Sequence, residues 1–247
     1  MLREQAEKDL RAPELSQRQV LATVVQLLDK TLIRIGTEEY AKENKSYGLT
    51  TLRGKHVTVD GSTMQFSFRG KSGVQHALSV MDKRIARIVQ QCQHLKGEEL
   101  FQYVDEEGKQ VTIGSDDVNA YLAELSGLHI TAKDFRTWGG TMLAGTKLRE
   151  LGSVSTQREA KKNINVAIDA VAERLGNTRA VCRSYYIHPA LLEAYMGGRT
   201  AGPSMELPKK KGPSKKRVSG KASSRRRPVA ALRRDEVAIL QFLHDLV

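Results

Sequence analysis

The chain predicts a mostly helical α+β fold, a helical domain that carries a small three-stranded antiparallel sheet near its N-terminus. Three observations lead there. Apolar residues recur at helical spacing through most of the sequence. Between Leu49 and Val80 they switch to alternation, the period of a half-buried strand. Capping and stop signals stand where each periodic stretch begins or ends.

Taken in order, Ser16-x-x-Gln19 forms a capping box, and Val20, Leu21, Val24, Leu27, Leu28, Thr31 and Leu32 follow on one face, so a helix runs to about Ile33. Val57 and Val59, then Met64, Phe66 and Phe68, then Val74 to Val80 read as strands. They are joined by Asp60-Gly61 and by Gly70-Lys71-Ser72-Gly73. Helices follow over about 81–94, 116–126, 132–151 and 157–175. The third opens on Thr131-x-x-Asp134, and the fourth stops at Gly176, which tolerates a left-handed end. Two short helices span about 179–196, interrupted at Pro189. Asp105, Glu106 and Glu107 beside Gly108 read as a hairpin turn rather than a metal site. There is no internal repeat.

The 247 residues include 40 Lys and Arg against 28 Asp and Glu, a net charge of +12, and 40% are hydrophobic, enough for a real core in one or two domains. No apolar run approaches the roughly 18 residues of a membrane helix, and the N-terminal stretch is too polar for a secretory signal. Two cysteines, Cys92 and Cys182, make neither a disulfide framework nor a zinc quartet. The expectation is a soluble, intracellular protein with a polyanionic partner. Location qualifies that inference: residues 199–247 hold 13 Lys and Arg against 4 acids, leaving residues 1–198 at only +3. The segment 199–234, rich in Pro, Gly, Ser and basic residues, reads as a disordered basic linker. The stretch 235–247, with Val237, Leu240 and Leu243 at helical spacing, reads as a short helix that docks back on the body.

No P-loop and no Gly-x-Gly-x-x-Gly follows a strand, and the six histidines lack metal-ligand spacing. The unusual feature is polar groups at element ends. Arg34 closes the first helix among apolar residues, Lys71 sits at a hairpin tip, and Arg136 lies one turn into a helix. Asn177 follows the helix-ending Gly176, and Tyr186 lies nine residues further on. Each also has a structural reading: an interface ion pair, a solvated lysine, a helix C-cap, a packed aromatic. Composition and spacing alone stop at a basic helical protein.

In order along the chain, these segments resemble the catalytic domain of type IB DNA topoisomerases of the bacterial and poxvirus kind. The resemblance is carried by Leu32-Ile33-Arg34-Ile35-Gly36, by Glu39 to Asn44 with Tyr47-Gly48-Leu49-Thr50-Thr51-Leu52, and by Phe68-Arg69-Gly70-Lys71. It continues through Lys133 to Gly139 and from Leu175-Gly176-Asn177-Thr178 to Tyr186-Ile187-His188-Pro189, covering about residues 10–197. It implies Tyr186 as nucleophile, Arg34, Lys71 and Arg136 as the catalytic cations, and Asn177 where poxvirus enzymes have His and bacterial relatives commonly have Asn. Tyr186 rather than Tyr185 matches because it directly precedes Ile-His-Pro. Tyr40, Lys133 and Arg183 take positions of phosphate contacts.

The implied reaction is transesterification. A phenol attacks a DNA phosphodiester, forms a 3′-phosphotyrosyl link and releases a 5′-hydroxyl strand that swivels and attacks back. One ester replaces another, so neither ATP nor a metal or other cofactor is expected. Arginine's planar fork suits two non-bridging oxygens; Asn177 donates one neutral hydrogen bond, and Lys71 is the candidate acid for the leaving oxygen. The expected partner is double-stranded DNA, with no membrane, for a monomer that is cytoplasmic and nucleoid-associated. Relatives of this kind carry a small N-terminal β domain that clamps the duplex. Here about fifteen residues precede the first predicted helix, so 1–15 reads as a linker remnant and 16–198 as the catalytic domain without that clamp. Two rivals are a tyrosine recombinase-like strand transferase and a truncated, non-catalytic basic DNA-binding protein. Recombinases typically place His two or three residues before the second Arg, where this chain has Lys133-Asp134.

Overall fold

Ser16 accepts a hydrogen bond from the Gln19 amide at 3.3 Å and so starts helix α2, Gln17–Thr31. That helix is the centre of the computed structural model, which describes residues 2–201 and 233–246. Val20, Val24, Leu27 and Leu28 of α2 are fully buried. The chain leaves α2 through Leu32, a non-glycine residue in the left-handed region (φ 58°) whose N–H closes on Leu28 O.

The first fifteen residues differ from the linker expected there. They carry helix α1, Leu2–Asp9, which packs on α2 and on α5, Ser115–Ser126. Ala6 and Leu10 are buried, and the Tyr121 hydroxyl donates to Asp9 at 2.6 Å. Arg3 bonds both Asp29 and Glu236. These contacts run largely through charges, which hydrophobic periodicity does not register.

After α2 come a short helix α3, Glu38–Asn44, and the expected antiparallel sheet β1 (Val57–Asp60), β2 (Thr63–Arg69), β3 (Gln75–Met81), in the order β1-β2-β3. Met64, Phe66 and Phe68 point into the core from alternate positions of β2, and Phe68 pairs directly with His76. Helix α4, Lys83–Gln93, is capped by Asp82. A second, two-stranded sheet, β4 (Gln102–Val104) with β5 (Gln110–Thr112), closes around the acidic 105–108 turn. There Asp105 accepts from the Glu107 and Lys109 amides.

The rest is helical: α6 (Ala132–Leu151), α7 (Gln157–Leu175), α8 (Arg179–Tyr185) and α9 (Pro189–Met196). Two hydrophobic clusters result. One gathers α1, α2, α4, α5 and the sheet; the other gathers the C-terminal half of α6 with α7, α8 and α9. Helix α6 spans both, with Ala132 in the first and Ala144 and Leu148 in the second. The site described below lies where they meet.

Most of the 199–234 segment expected as a basic linker lies outside the described residues. Beyond it, helix α10, Arg234–His244, packs on α6 with Ile239 fully buried. Glu236, also buried, accepts from Arg3 at 2.7 Å, from the Trp138 indole at 3.2 Å and from the Arg233 amide at 2.8 Å. Burial alone would raise its carboxyl pKa; these donors overcome that and hold it at about 2. Among the described residues no helix is long and apolar enough to cross a membrane.

Candidate active site

Several chain segments converge on one cleft. The segment 32–36 leaves α2 and is held by backbone bonds from Leu49 N to Arg34 O (2.9 Å) and Thr50 N to Ile35 O (2.8 Å), with Thr50 Oγ1 also donating to Ile35 O. The β2–β3 hairpin presents Lys71 at its tip, and the first turns of α6 present Lys133 and Arg136. Tyr186, the residue that ends α8, completes the lining. Arg34, Tyr40, Lys71, Lys133, Arg136 and Tyr186 all line this cleft, whose volume is about 270 Å³.

Arg136 is buried, 3% exposed. Its Nη1 donates to Leu32 O, and its Nη2 donates to Leu175 O at 2.9 Å. Both acceptors lie at helix C-termini, the ends of α2 and α7, where orphan carbonyls carry partial negative charge. The guanidinium is therefore held by groups that would otherwise lack partners. Burial lowers its pKa first and the Arg34 charge lowers it further, against a hydrogen-bonding interaction with Tyr186 that raises it. The guanidinium lies 5.1 Å from the centroid of the Tyr186 ring.

Arg34 Nη2 donates to Asn177 Oδ1 at 2.5 Å. Asn177 lies just past Gly176, the left-handed residue that ends α7, so it sits in a joint rather than on a helix. The Arg34 bond fixes the amide: Oδ1 is committed as acceptor, and Nδ2 remains a donor. Arg34 Nη1, Arg136 Nε and Asn177 Nδ2 are all buried with no hydrogen-bond partner among the described residues. Buried donors are ordinarily satisfied; of the four unpartnered ones among the described residues, three are on Arg34, its partner Asn177 and Arg136, where water or a bound anion can serve as acceptor, and the fourth, Arg149 Nη1, lies away from the cleft.

The tyrosine pair divides clearly. Tyr186 lines the cleft and is half-buried; Tyr185 is 63% exposed, with Lys133 Nζ 6.0 Å from its ring centroid. Helix α6 positions Tyr186 from behind. Gly140 makes the approach possible, because a Cβ there would lie 2.4 Å from Tyr186 O. The Thr141 hydroxyl donates to Tyr186 O at 3.5 Å and accepts from His188 N at 3.0 Å. Ile187, buried in the second cluster, anchors the next residue.

Lys71 reaches over Tyr40, its Nζ 5.5 Å from that ring centroid. Six of the eight predicted site residues line the cleft; Asn177 joins it through its bond to Arg34, and Arg183, exposed on α8, does not line it. Sequence reasoning missed Thr141 and Gly140, which touch Tyr186 through its backbone, and Tyr47, which lines the cleft. Tyr47 stands inside a motif that carries the resemblance but has no assigned role there; Gly140 and Thr141 have no sequence signal beyond adjoining the motif that ends at Gly139.

A phenol that shares a cleft with two arginines and a lysine, with an amide bonded to one of the arginines, is an arrangement suited to an oxyanion such as a phosphoryl group. The comparisons with known proteins agree with that class. The family described as "Eukaryotic DNA topoisomerase I, catalytic core" matches residues 1–200, and the chain belongs to this family. It is 31% identical over 198 residues to the DNA topoisomerase 1B of Acanthamoeba polyphaga mimivirus, covering 76% of this chain and 58% of that protein. It is 26% identical over 163 residues to the DNA topoisomerase I of Monkeypox virus, covering 65% of this chain and 49% of that one. With the DNA topoisomerase 1 of Daucus carota it shares 28% identity over 146 residues, 58% of this chain and 17% of the plant protein. The chain thus spans about half the length of the viral relatives it matches.

Proposed function

We propose that the chain carries type IB DNA topoisomerase chemistry: it cleaves one strand of duplex DNA through a 3′-phosphotyrosyl link at Tyr186, lets the strand swivel, and religates it, relaxing supercoils. The observation that carries this reading is the set of buried, unpartnered donors on Arg34, Arg136 and Asn177 beside the cleft that Tyr186 lines. A scissile phosphate supplies the acceptor those donors lack. Its non-bridging oxygens take the arginine forks and the Asn177 amide. The phenol must lose its proton as it attacks, and the Arg136 guanidinium lies beside its ring, 5.1 Å from the centroid. Lys71 swings from Tyr40 to protonate the leaving 5′-oxygen. Tyr40 and Lys133 contact flanking phosphates, as does Arg183 from its exposed position outside the cleft.

Because an ester is exchanged for an ester, the step needs no ATP, and the charge that a metal would neutralise falls to the three cations. The reading takes as the acting unit a monomer on double-stranded DNA, in the cytoplasm at the nucleoid. The test is incubation with a nicked suicide duplex in chelator and without nucleotide. A covalent protein–DNA adduct forms, persists in Tyr185→Phe and vanishes in Tyr186→Phe. Loss in Tyr185→Phe alone moves the nucleophile, and no adduct in any version leaves a DNA-binding protein without this chemistry.

A further inference from the structure

His76 is half-buried in the middle of the site's scaffold, yet none of the roles assigned above uses it. It stands opposite Phe68 across the β2–β3 pair and stacks on it, with ring centroids 5.0 Å apart and planes 18° from parallel. Phe68 in turn lies 6.4 Å from His56, whose ring lies 4.5 Å from that of Tyr47, a cleft residue. On its other sides the imidazole meets two glycines. A Cβ on Gly70 would lie 2.6 Å from His76 Cδ2 and Nε2, and one on Gly176 would lie 3.3 Å from Cε1. Gly70 immediately precedes Lys71, and Gly176 immediately precedes Asn177. The ring therefore fills the gap between the hairpin that carries the lysine and the joint that carries the amide. Both glycines give it room that any side chain would close. Burial, then the charges of Arg34 and Arg136, lower its pKa, which keeps this spacer neutral beside two arginines.

We propose that His76 is a positioning residue that sets the Lys71 hairpin against the Asn177 joint, so that the lysine meets the leaving oxygen of a phosphate held by Arg34, Arg136 and Asn177. The inference rests on the proposed role of Lys71 as proton donor. It acts through Lys71 and touches no reacting atom itself. Two perturbations attack the same contact from different sides: His76→Ala removes the spacer, and Gly70→Ala drives a methyl into it.

The experiment compares single-turnover cleavage of an ordinary suicide duplex with cleavage of one carrying a 5′-bridging sulfur at the scissile position. An alkoxide leaving group needs a proton, whereas a thiolate leaves without one. Both variants are expected to lose roughly 10- to 100-fold on the oxygen substrate, the scale of an ångström-level misplacement. On the sulfur substrate each should recover to within about threefold of the parent, as Lys71→Ala does. An equal loss on both substrates, or no loss on the oxygen one, overturns the proposal and gives His76 a purely structural role or none. A Lys71→Ala variant that sulfur does not rescue, in a protein whose parent forms the adduct, removes the acid role and this inference with it. A parent that forms no adduct on either duplex refutes the proposed function itself.

Discussion

Asn177→Asp tests the division of labour within a single amide. Oδ1 lies 2.5 Å from Arg34 Nη2, while Nδ2 is buried and unpartnered. Aspartate has the same shape, keeps the acceptor toward Arg34, and puts an anionic oxygen where the donor was. Losing one preorganised donor costs about 2.7–4 kcal/mol of transition-state stabilisation. A like charge about 4 Å from a phosphate oxygen adds about 4 kcal/mol at an effective dielectric of about 20. Together these slow cleavage by roughly five orders of magnitude. Asn177→Ala loses the donor and the Arg34 anchor without gaining a charge, and should fall about 10²- to 10³-fold. Asn177→His restores a donor and should recover most of the rate. The assay is single-turnover adduct formation on a nicked suicide duplex at saturating protein, resolved on a denaturing gel. The expected order is parent, His, Ala, then Asp. If Asp cleaves as fast as Ala, Nδ2 is not a donor to the phosphate, and the reading of that orphaned atom is wrong.

Gly140→Ala places a methyl 2.4 Å from Tyr186 O, so the backbone of Tyr186, the proposed nucleophile, shifts. Melting should show a stability loss of about 1–3 kcal/mol, and cleavage should fall roughly 10²-fold while duplex binding holds; an unchanged rate refutes the positioning role. The Glu236 carboxyl, held at about 2 against an ordinary 4.5, contributes stability that is fully present above about pH 4.5 and is lost as pH falls toward 2. Thermal melting from pH 7 to 3 should therefore show a steeper acid loss in the parent than in Glu236→Gln, and parallel curves would contradict it. Neutralising the ten Lys and Arg between Lys209 and Arg227 should flatten the dependence of DNA affinity on salt and leave the saturating cleavage rate unchanged. Truncation at residue 198 is a different perturbation, because it also removes Ile239 and Glu236 from their packing on α6 and from Arg3; it should lower the melting temperature, and a melting temperature equal to the parent's would show that α10 is not part of the folded body.

The helices and the three-stranded sheet were legible because each has a signal of its own kind. Alternation along β2 matches the buried Met64, Phe66 and Phe68, and the left-handed Gly176 ends α7 where the glycine stands. Helix α1 was not legible, since its anchors are Arg3 to Asp29 and Glu236, and Tyr121 to Asp9, pairs separated by more than a hundred residues in two of the three cases. The candidate site was legible only as an ordered set of motifs. No periodicity shows that the carbonyls of Leu32 and Leu175 will meet at Arg136, because that meeting requires two helix ends to stop at one point. For the same reason Gly140 and Thr141 look in sequence like any small residues on a helix.

Convergence of helix ends also explains how a body of net charge +3 gathers Arg34 and Arg136 at one point. Two guanidiniums close enough for Arg34 to lower the Arg136 pKa repel each other, and burial adds to that cost. The fold offsets part of it with dipoles rather than carboxylates: Leu32 O and Leu175 O bind Arg136, and Gly176 O and the Asn177 amide oxygen face Arg34. The difference matters for chemistry. A carboxylate partner would neutralise the cation and compete with a phosphate for its donors, whereas a carbonyl orients the guanidinium and leaves its full charge in place. It also leaves Arg34 Nη1 and Arg136 Nε unused. The remaining repulsion is relieved when an anion enters between the arginines, and relieved further as the transition state gains charge. On this argument, exchanging the Asn177 amide contact for a carboxylate, as Asn177→Asp does, should strengthen the fold locally while it weakens the proposed reaction, and stability and rate should move in opposite directions.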